Sequence, residues 1–360
     1  MPRPRVLFAV HNWGLGHATR SLALIRGLVE RGHEVTVLSS GKALRFLADE
    51  LGEACELLEL GDIPQPVSRN GAIFYVRLTL SMPLIFWIFR RDRRWARRLC
   101  REKGIDLIVS DTRFGVLLPE VPSYFITQSL RQIIPGRPYL LEMLVEAAQR
   151  RMLAHARKVF IPDSAGPENL TGDLSHNLLC DWGDRPAYLG PLTAVVPESK
   201  EEDLDCFISI SGPEPQRTIL AERVLDQVEE VPGQVLVTLG KPDAACRSLA
   251  GGRIQIYGFL EREEQAKVMQ RTRLVVCRPG LSTLSEIAVL GKQALFIPTP
   301  GQSEQGYLAH YHWERGEAYM VDQQKLDLPR DKAVAETYPG LTAPSSNRHP
   351  VRGFLDHLSN

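Results

Sequence analysis

Short, uniformly apolar runs alternate along the chain with longer segments whose apolar residues recur every three or four positions. Residues 6–10 form the first such run, and residues 18–30 have the spacing of an amphipathic helix. A glycine-rich turn at 12–17 separates them, and a second apolar run begins at 34. Uniformly apolar runs are typical of parallel strands buried on both faces, so this part of the chain is predicted to form a β-α-β unit.

The alternation continues and then restarts after a polar stretch at 197–203, whose composition is that of an interdomain linker. Further strands are predicted at 106–110, 123–127, 158–162, 186–192, 206–211, 234–238, 254–257, 274–277 and 294–297. We therefore predict an α/β protein with two Rossmann-like domains, 1–196 and 205–340, each built on a parallel sheet. A Ser- and Pro-rich tail, 341–360, ends in a short amphipathic helix and is expected to pack back onto the first domain.

Composition narrows the class of protein. The 360 residues suffice for about two to three domains of ordinary size. Lys plus Arg and Asp plus Glu both number 43, so no net charge recruits nucleic acid. The 6 cysteines are scattered, without zinc-ligand spacing, and indicate reduced thiols in a cytoplasmic protein without a bound metal. The apolar run at 72–89 contains Arg77 and Pro83 and is too short to span a membrane.

Two residues of the first half are candidates for acid–base chemistry. His17 follows the glycine turn at a helix N-terminus, where the helix dipole favours the neutral imidazole that a general base requires. Asp111 follows the predicted strand 106–110 and could orient His17 or act as the base itself. The sequence leaves open that His17 only packs the turn and that Asp111 only forms one.

The segment 278–286 lies between a predicted strand and a predicted helix. Gly280, Ser282 and Thr283 place small residues and hydroxyls at the helix N-terminus, where backbone N–H groups bind anions. Glu286 lies one turn into the helix and could accept hydrogen bonds from a ribose diol. A carboxylate there could equally well serve only to complement the helix dipole.

Two further polar turns are candidates for ligand binding. Gln302, Glu304 and Gln305 follow the strand at 294–297 and match the donors and acceptors of sugar hydroxyls, although a solvated loop would look the same. The turn that opens the second domain is a candidate diphosphate site through Ser211, Gly212 and Arg217. Its prolines lack N–H groups, so it is not a phosphate-binding P-loop.

Taken together, residues 275–288, 294–298 and 302–305 resemble the donor-binding half of MurG-like transferases, glycosyltransferase family 28. The turn at 14–17 resembles their glycine loop, and the whole pattern looks closer to a poorly characterised branch of predicted glycosyltransferases. The resemblance implies a GT-B fold, in which two parallel sheets face across a cleft. It also implies a UDP-sugar donor and inverting transfer without a metal or separate cofactor.

By position, the resemblance implies that Glu286 holds the ribose and that Ser282 and Thr283 hold the phosphates. Further donor contacts are expected along the glycine turn, against the base and near the sugar, from Gly16, Phe259, Leu260, Gln302, Glu304 and Gln305. The acceptor half departs from the MurG pattern, so the peptidoglycan acceptor is not implied.

Residues 75–98 combine aromatic, aliphatic and arginine side chains. Such a segment suits a peripheral contact with the inner face of the cell membrane and a lipid-linked acceptor, as in cell envelope or glycolipid biosynthesis. A core helix followed by a solvated basic helix would have the same composition.

Two other functions share these features. A nucleotide-sugar 2-epimerase uses the same two-domain fold and a similar donor site, and a non-catalytic protein could retain nucleotide-sugar binding alone. The Gly16–His17 turn favours a transferase over an epimerase. The presence of Glu286 and Arg217 favours an enzyme over a protein that only binds.

Overall fold

The computed structural model describes residues 3–63, 80–193, 195–198, 201–343 and 349–359. These residues form two compact units. The first unit combines 3–63, 80–193 and 349–359, and the second comprises 195–198 and 201–343. No helix in the described ranges is long and apolar enough to cross a membrane. Of the expected membrane-contact segment, residues 75–79 lie outside the described residues.

The first unit contains the strands β1 (Arg5–Val10), β2 (Glu34–Ser39), β3 (Glu56–Glu59), β4 (Leu107–Asp111), β5 (Ser123–Ile126), β6 (Ala156–Ile161) and β7 (Pro186–Tyr188). They form one parallel sheet in the order β3-β2-β1-β4-β5-β6-β7. The order reverses between β1 and β4, whose last residues Val10 and Asp111 are paired. In open α/β sheets, ligands bind at the carboxyl ends of the strands at such a reversal.

Four helices of this unit are α1 (Gly16–Glu30), α2 (Gly41–Leu51), α3 (Met82–Lys103) and α4 (Tyr139–Met152). Alternate residues of β1 enter different clusters: Phe8 packs with residues of α1 and α2, whereas Leu7 packs with Ala96 and Leu99 of α3. Helices therefore cover both faces of the sheet, which explains why β1 is apolar at every position after Arg5.

Helix α4 buries its polar face and exposes its apolar face, the reverse of a usual amphipathic helix. Its buried residues are Glu142, Glu146 and Gln149, whereas Leu140 and Leu144 are 67% and 62% exposed. The buried carboxylates have fixed partners. Glu142 pairs with Arg131 and Arg137, and Glu146 accepts hydrogen bonds from two backbone N–H groups and the Trp182 ring N–H. The helix is thus attached to the unit through polar groups and presents leucines to the outside.

The second unit contains the strands β8 (Leu204–Ser209), β9 (Val235–Thr238), β10 (Arg247–Leu249), β11 (Ile254–Tyr257), β12 (Thr272–Cys277), β13 (Gln293–Phe296) and β14 (Tyr319–Met320). Their order is β10-β11-β9-β8-β12-β13-β14, and only β10 is antiparallel to its neighbour. Its helices are α5 (Gln216–Leu225), α6 (Arg262–Arg271), α7 (Leu281–Leu290), α8 (Ser303–Glu314) and α9 (Leu328–Ala335). The strand order reverses between β8 and β12, as it does between β1 and β4 in the first unit.

The final helix, α10 (Pro350–Ser359), belongs to the first unit. Phe354 is fully buried in the cluster that contains Ile25 and Leu28 of α1. The two helices approach closely at Gly27, where an added Cβ would lie 2.5 Å from Cγ1 of Val351. A larger residue at position 27 would therefore collide with the Val351 side chain of α10 unless one of the two shifted.

Most predicted elements are present, with differences that have physical causes. The helix predicted over 139–157 ends at Met152, because the chain turns and β6 begins at Ala156. The polar loop predicted at 302–305 is the start of α8, with Gln302 as its N-cap. The edge strand β10 was not predicted, since its sequence Arg-Ser-Leu is not apolar and it pairs through backbone hydrogen bonds.

Candidate functional site

The turn after β1 brings two histidines to the carboxyl edge of the first sheet. His11 follows β1 directly, and its backbone N–H donates to the Asp111 backbone carbonyl at 3.1 Å. Helix α1 begins at Gly16, so that His17 lies in its first turn. The centroids of the two imidazole rings are 5.4 Å apart, with planes at 82°.

His17 and Asp111 form a hydrogen-bonded pair at the reversal of the strand order. The distance from His17 Nδ1 to Asp111 Oδ1 is 2.8 Å, and the two side chains are 15% and 0% exposed. The carboxylate can only accept a hydrogen bond, and in the tautomer that donates Nδ1–H to Asp111 the Nε2 atom keeps its lone pair. This is the tautomer in which a histidine can take a proton from a substrate hydroxyl.

Asp111 is fixed by three other side chains. Arg20 Nε donates to Asp111 Oδ2 at 2.6 Å, Ser21 Oγ donates to the same oxygen at 2.9 Å, and Thr112 Oγ1 donates to Oδ1 at 3.0 Å. Burial alone would raise the pKa of Asp111, but Arg20 and His17 hold it well below its usual range. Asp111 therefore stays ionised, and because these donors already occupy both of its oxygens it is suited to orient His17.

The electrostatic environment also favours the neutral form of His17. Burial lowers the pKa of His17, the Arg20 guanidinium lowers it further, and the Asp111 carboxylate opposes both. Arg20 Nη2 lies 2.9 Å from His17 Nδ1, one helical turn along α1. The sequence predicted a neutral imidazole from the helix dipole. The structure gives the same direction with burial and Arg20 as the main causes.

In the second unit, the segment after β12 begins a helix, as the sequence predicted. Gly280 is the N-cap of α7, and Ser282, Thr283 and Glu286 are all partly exposed in its first two turns. Burial raises the pKa of Glu286 to about 6, partly offset by Arg262. The carboxyl group is thus held where its charge is poorly solvated, which favours hydrogen-bond donors from a ligand.

Three strand ends converge around Gly212, which has a φ of +106°. A Cβ placed there would lie 3.5 Å from Thr299 Oγ1 and 4.0 Å from Arg278 Nε. Both of these atoms are buried and have no hydrogen-bond partner. Burial lowers the pKa of Arg278 to about 10, which leaves it charged at neutral pH. A buried cation, a hydroxyl and a glycine backbone together form an environment suited to an anion.

The other residues expected to contact the donor differ in their exposed fraction. Phe259 is 37% exposed, whereas Leu260 is 5% exposed and belongs to the interior. Gln302 caps α8, and Glu304 lies in its first turn. Gln305 Oε1 accepts from the Thr299 N–H at 2.9 Å and so fixes the turn after β13.

The described residues contain no cluster of three or more His, Cys, Asp or Glu side chains that could hold a metal ion.

Comparisons with known proteins agree with this geometry. The model of the glycosyltransferase family 28 C-terminal domain matches residues 218–343, and a glycosyl transferase family 1 model matches residues 4–63. An uncharacterized glycosyltransferase of Methanosarcina acetivorans is 23% identical over 336 residues, which cover 88% of this chain and 85% of that protein. This chain is a glycosyltransferase of the GT-B fold, and its residues 218–343 match the family 28 C-terminal domain.

Two further comparisons concern a relative of part of the chain and the fold. The UDP-N-acetylglucosamine–N-acetylmuramyl-(pentapeptide) pyrophosphoryl-undecaprenol N-acetylglucosamine transferase of Histophilus somni is 37% identical over 116 residues, 29% of the glycosyltransferase and 32% of that relative. The solved glycotransferase of kitacinnamycin has a TM-score of 0.63 and 16% identity, and the match covers 98% and 94% of the two chains. The predicted α/β class and GT-B fold are confirmed.

One predicted donor residue of the glycosyltransferase is already occupied by internal contacts. Arg217 Nη2 and Nε donate to Glu214 Oε1 at 2.7 and 3.0 Å, and its Nη1 donates to the Gly240 carbonyl at 2.7 Å. A diphosphate would have to compete with the Glu214 carboxylate for Arg217. Ser211 is exposed at the start of the same turn.

Several residues that shape the glycosyltransferase site were missed from the sequence. Arg20 follows His17 by three positions, the spacing of neighbours on one helical face, and this signal was available. The sequence predicts no separate role for Arg278, which begins the segment 278–286. Its guanidinium donates to the Ile297 carbonyl at 2.7 Å and the Pro298 carbonyl at 2.9 Å, contacts that the sequence does not reveal.

Proposed function

We propose that this nucleotide-sugar glycosyltransferase transfers a sugar from a UDP-type donor to a hydroxyl of a lipid-linked acceptor, with inversion. The observation that carries the proposal is the buried His17–Asp111 pair at the strand-order reversal of the first unit. The UDP donor is inferred from the 37% identical relative named as a UDP-N-acetylglucosamine transferase.

His17 is the general base in this proposal. Its Nε2 takes the proton of the acceptor hydroxyl while the oxygen attacks the anomeric carbon of the sugar. The ionised Asp111 accepts the Nδ1–H hydrogen bond and stabilises the imidazolium that forms. Attack from the face opposite the departing diphosphate inverts the anomeric centre in a single displacement.

The second unit binds the donor and stabilises the departing diphosphate. Ser282 and Thr283 lie in the first turn of α7, where backbone N–H groups favour an anion. Arg278 and Thr299, beside Gly212, add a buried cation and a hydroxyl. These groups carry the stabilisation in a transfer that we propose to be independent of a metal. Glu286 accepts hydrogen bonds from the ribose diol.

We also propose that α3 brings the enzyme to an anionic membrane surface, where a lipid-linked acceptor would be presented. At its N-terminal end, Leu80, Phe86 and Trp87 are 75%, 50% and 57% exposed. Arg90, Arg94 and Arg98 are exposed at intervals of four residues and therefore lie along one face of the helix. Exposed apolar side chains followed by a cationic stripe are complementary to acidic lipid headgroups.

The test of the proposed base is His17→Ala. With UDP-N-acetylglucosamine and other UDP-sugars as donors and a membrane lipid extract as acceptor, we expect UDP release to fall by about 10²–10⁴-fold. The dissociation constant for UDP itself, measured by calorimetry, should not change, because the residues proposed to bind it lie on the second unit. Unchanged turnover would remove His17 from the mechanism.

The matched control is His33→Ala. The His33 imidazole lies just before β2, and its Nδ1 is 3.1 Å from the Pro4 carbonyl oxygen. It belongs to the same unit but not to the site, so we expect normal turnover.

The same assay separates the remaining functions. A 2-epimerase would convert a UDP-sugar without any acceptor, and a protein that only binds would bind UDP without releasing it from a UDP-sugar. The match of residues 218–343 to the family 28 model favours the transferase.

A further inference from the structure

A second histidine–carboxylate pair lies beside the first. His11 Nδ1 is 2.6 Å from Asp62 Oδ2, and the two side chains are 5% and 2% exposed. The His11 ring meets the His17 ring nearly edge to face, with centroids 5.4 Å apart. The mechanism proposed above uses the His17–Asp111 pair and assigns nothing to His11 or Asp62.

Contacts on two sides fix the position of Asp62. Its Oδ2 accepts from the Asn12 N–H at 3.2 Å, and its Oδ1 accepts from the Ile63 N–H at 2.7 Å. Trp13 Nε1 donates to the Ile63 carbonyl at 2.7 Å, which ties the segment to the glycine turn. On the other side, Arg113 donates to the carbonyls of Leu60 and Gly61, both at 3.0 Å.

Arg113 is itself anchored on α3. Its Nε donates to Asp92 Oδ2 at 2.9 Å, and both side chains are 1% exposed. Arg91 donates to the same Asp92 at 2.7 Å and to the Gly61 carbonyl. The position of Asp62 is therefore determined by a continuous network of polar groups, from α3 to the end of β1.

The Asp62 carboxylate is held in its charged form. Burial alone would raise the pKa of Asp62, but the hydrogen bond and charge of His11, together with Arg113 and the Ile63 N–H, lower it overall. An ionised carboxylate at hydrogen-bond distance stabilises a proton on its histidine partner. The pair is thus a place where positive charge can be kept next to His17.

Within the part of the chain that the structure describes, three charged or titratable groups act on His17. Arg20 lies on the same helix and Asp111 at the end of β4, and both have been described. His11, at the end of β1, is the third, and in its protonated form it lowers the pKa of His17. Asp62 faces His11 from the segment after β3.

We propose that the His11–Asp62 pair is a positioning device that holds a positive charge against His17 and so keeps the base unprotonated. This inference rests on the proposed role of His17 as the base. In this proposal His11 acts through its effect on His17 and does not contact the substrate. A His11 that serves only to pack the turn would leave the titration of His17 unaffected.

The experiment is an NMR titration of the His17 ring in the full chain, with ¹³C- and ¹⁵N-labelled histidine. The variant His11→Gln keeps a side-chain donor for Asp62 and removes the titratable charge. We expect the midpoint of the His17 titration to rise by about half a unit to one unit, since two charges about 5 Å apart in a partly hydrated site repel by that order. Asp62→Asn should shift it in the same direction, because His11 without its carboxylate partner binds a proton less readily and so places less positive charge beside His17.

The matched control is His176→Gln. His176 also contacts a buried carboxylate of the first unit, Asp163, at 3.3 Å, but is not among the groups that act on His17. An unchanged His17 midpoint in folded His11→Gln and Asp62→Asn would overturn the proposal, and an equal shift in the control would do the same.

Turnover provides an independent readout. If His17 is the base, the acidic limb of the kcat/KM profile should move to higher pH with the NMR midpoint in His11→Gln. An NMR shift without any movement of the rate profile would contradict the proposed role of His17, while the electrostatic coupling would stand. The two failures are thereby distinguishable.

Discussion

Glu286 illustrates at the scale of one residue how a proposed binding group can oppose stability. Burial raises its pKa to about 6, so the folded protein holds this carboxylate less favourably than the unfolded chain does. A raised carboxyl pKa costs stability, and the cost is complete above the folded pKa and absent below the unfolded one. The pH window of this effect therefore runs from about 4.5 to about 6.

We predict that Glu286→Gln stabilises the protein and impairs donor binding. Above pH 7 the free energy of unfolding should rise by about 1–2 kcal/mol, and at pH 4 it should be unchanged. Affinity for UDP should fall by about 10-fold or more, because an ionised acceptor of hydrogen bonds is lost. Urea unfolding at both pH values and calorimetry with UDP measure the two effects.

The control for this substitution is Glu264→Gln on α6, where the side chain is exposed. It makes the same chemical change without burial and should alter neither quantity. If Glu286→Gln is less stable than the parent protein, the carboxylate makes a contact in the fold whose stabilisation exceeds the cost of its desolvation.

At the residue scale the sequence predicted some side chains of the site better than others. His17 and Asp111 were selected separately, and their contact depends on the pairing of β1 with β4, which brings together positions 94 residues apart. Asp62 was not selected, because its segment carries no motif and its role follows from the long-range contact with His11. The roles assigned to individual site residues stay predictions.

At the scale of elements, α4 shows why hydrophobic periodicity alone can mislead. Its apolar positions have helical spacing, which correctly indicates a helix, but the periodicity does not tell which face is inside. The buried face consists of Glu142, Glu146 and Gln149, whose partners come from segments up to 36 residues away in the chain. Such partners are invisible to a local pattern.

This arrangement predicts opposite outcomes for two substitutions on α4. Glu146→Ala should reduce the free energy of unfolding by about 3 kcal/mol, because the N–H groups of Leu179, Cys180 and Trp182 lose their acceptor while buried or partly buried. Leu144→Ser removes an apolar side chain that is 62% exposed and should change stability by less than about 0.5 kcal/mol. Urea unfolding compares the two, and the reverse ranking would mean that the leucines face the interior.

At the scale of the whole molecule, the proposed membrane contact predicts binding to acidic vesicles. The triple variant Arg90→Gln, Arg94→Gln, Arg98→Gln should weaken flotation with phosphatidylglycerol-containing vesicles by at least about tenfold, since each cation near such a surface contributes about 1 kcal/mol. Vesicles of phosphatidylcholine alone should bind the parent protein weakly. Replacing Arg247, Lys267 and Lys325, exposed cations of the second unit, is the charge-matched control.

If the two triple variants float equally well, α3 is not the contact. If the parent protein does not bind the vesicles at any salt concentration, the membrane proposal as a whole is excluded. The residues of this segment before 80 lie outside the described part of the chain, so the test is confined to positions whose exposure is known.

The position of α10 has a consequence for how the protein is made. The cluster around Ile25 and Leu28 is completed by Phe354, which is synthesised more than 300 positions later. A ribosome adds about 5–20 residues per second, so the surface of α1 remains without its covering helix for roughly 15 to 60 s after it emerges. During that interval the first unit exposes apolar side chains to chaperones and to other nascent chains, although its sheet could already be complete. The unit that contributes the proposed base is therefore expected to reach its final packing only after the second unit has been synthesised.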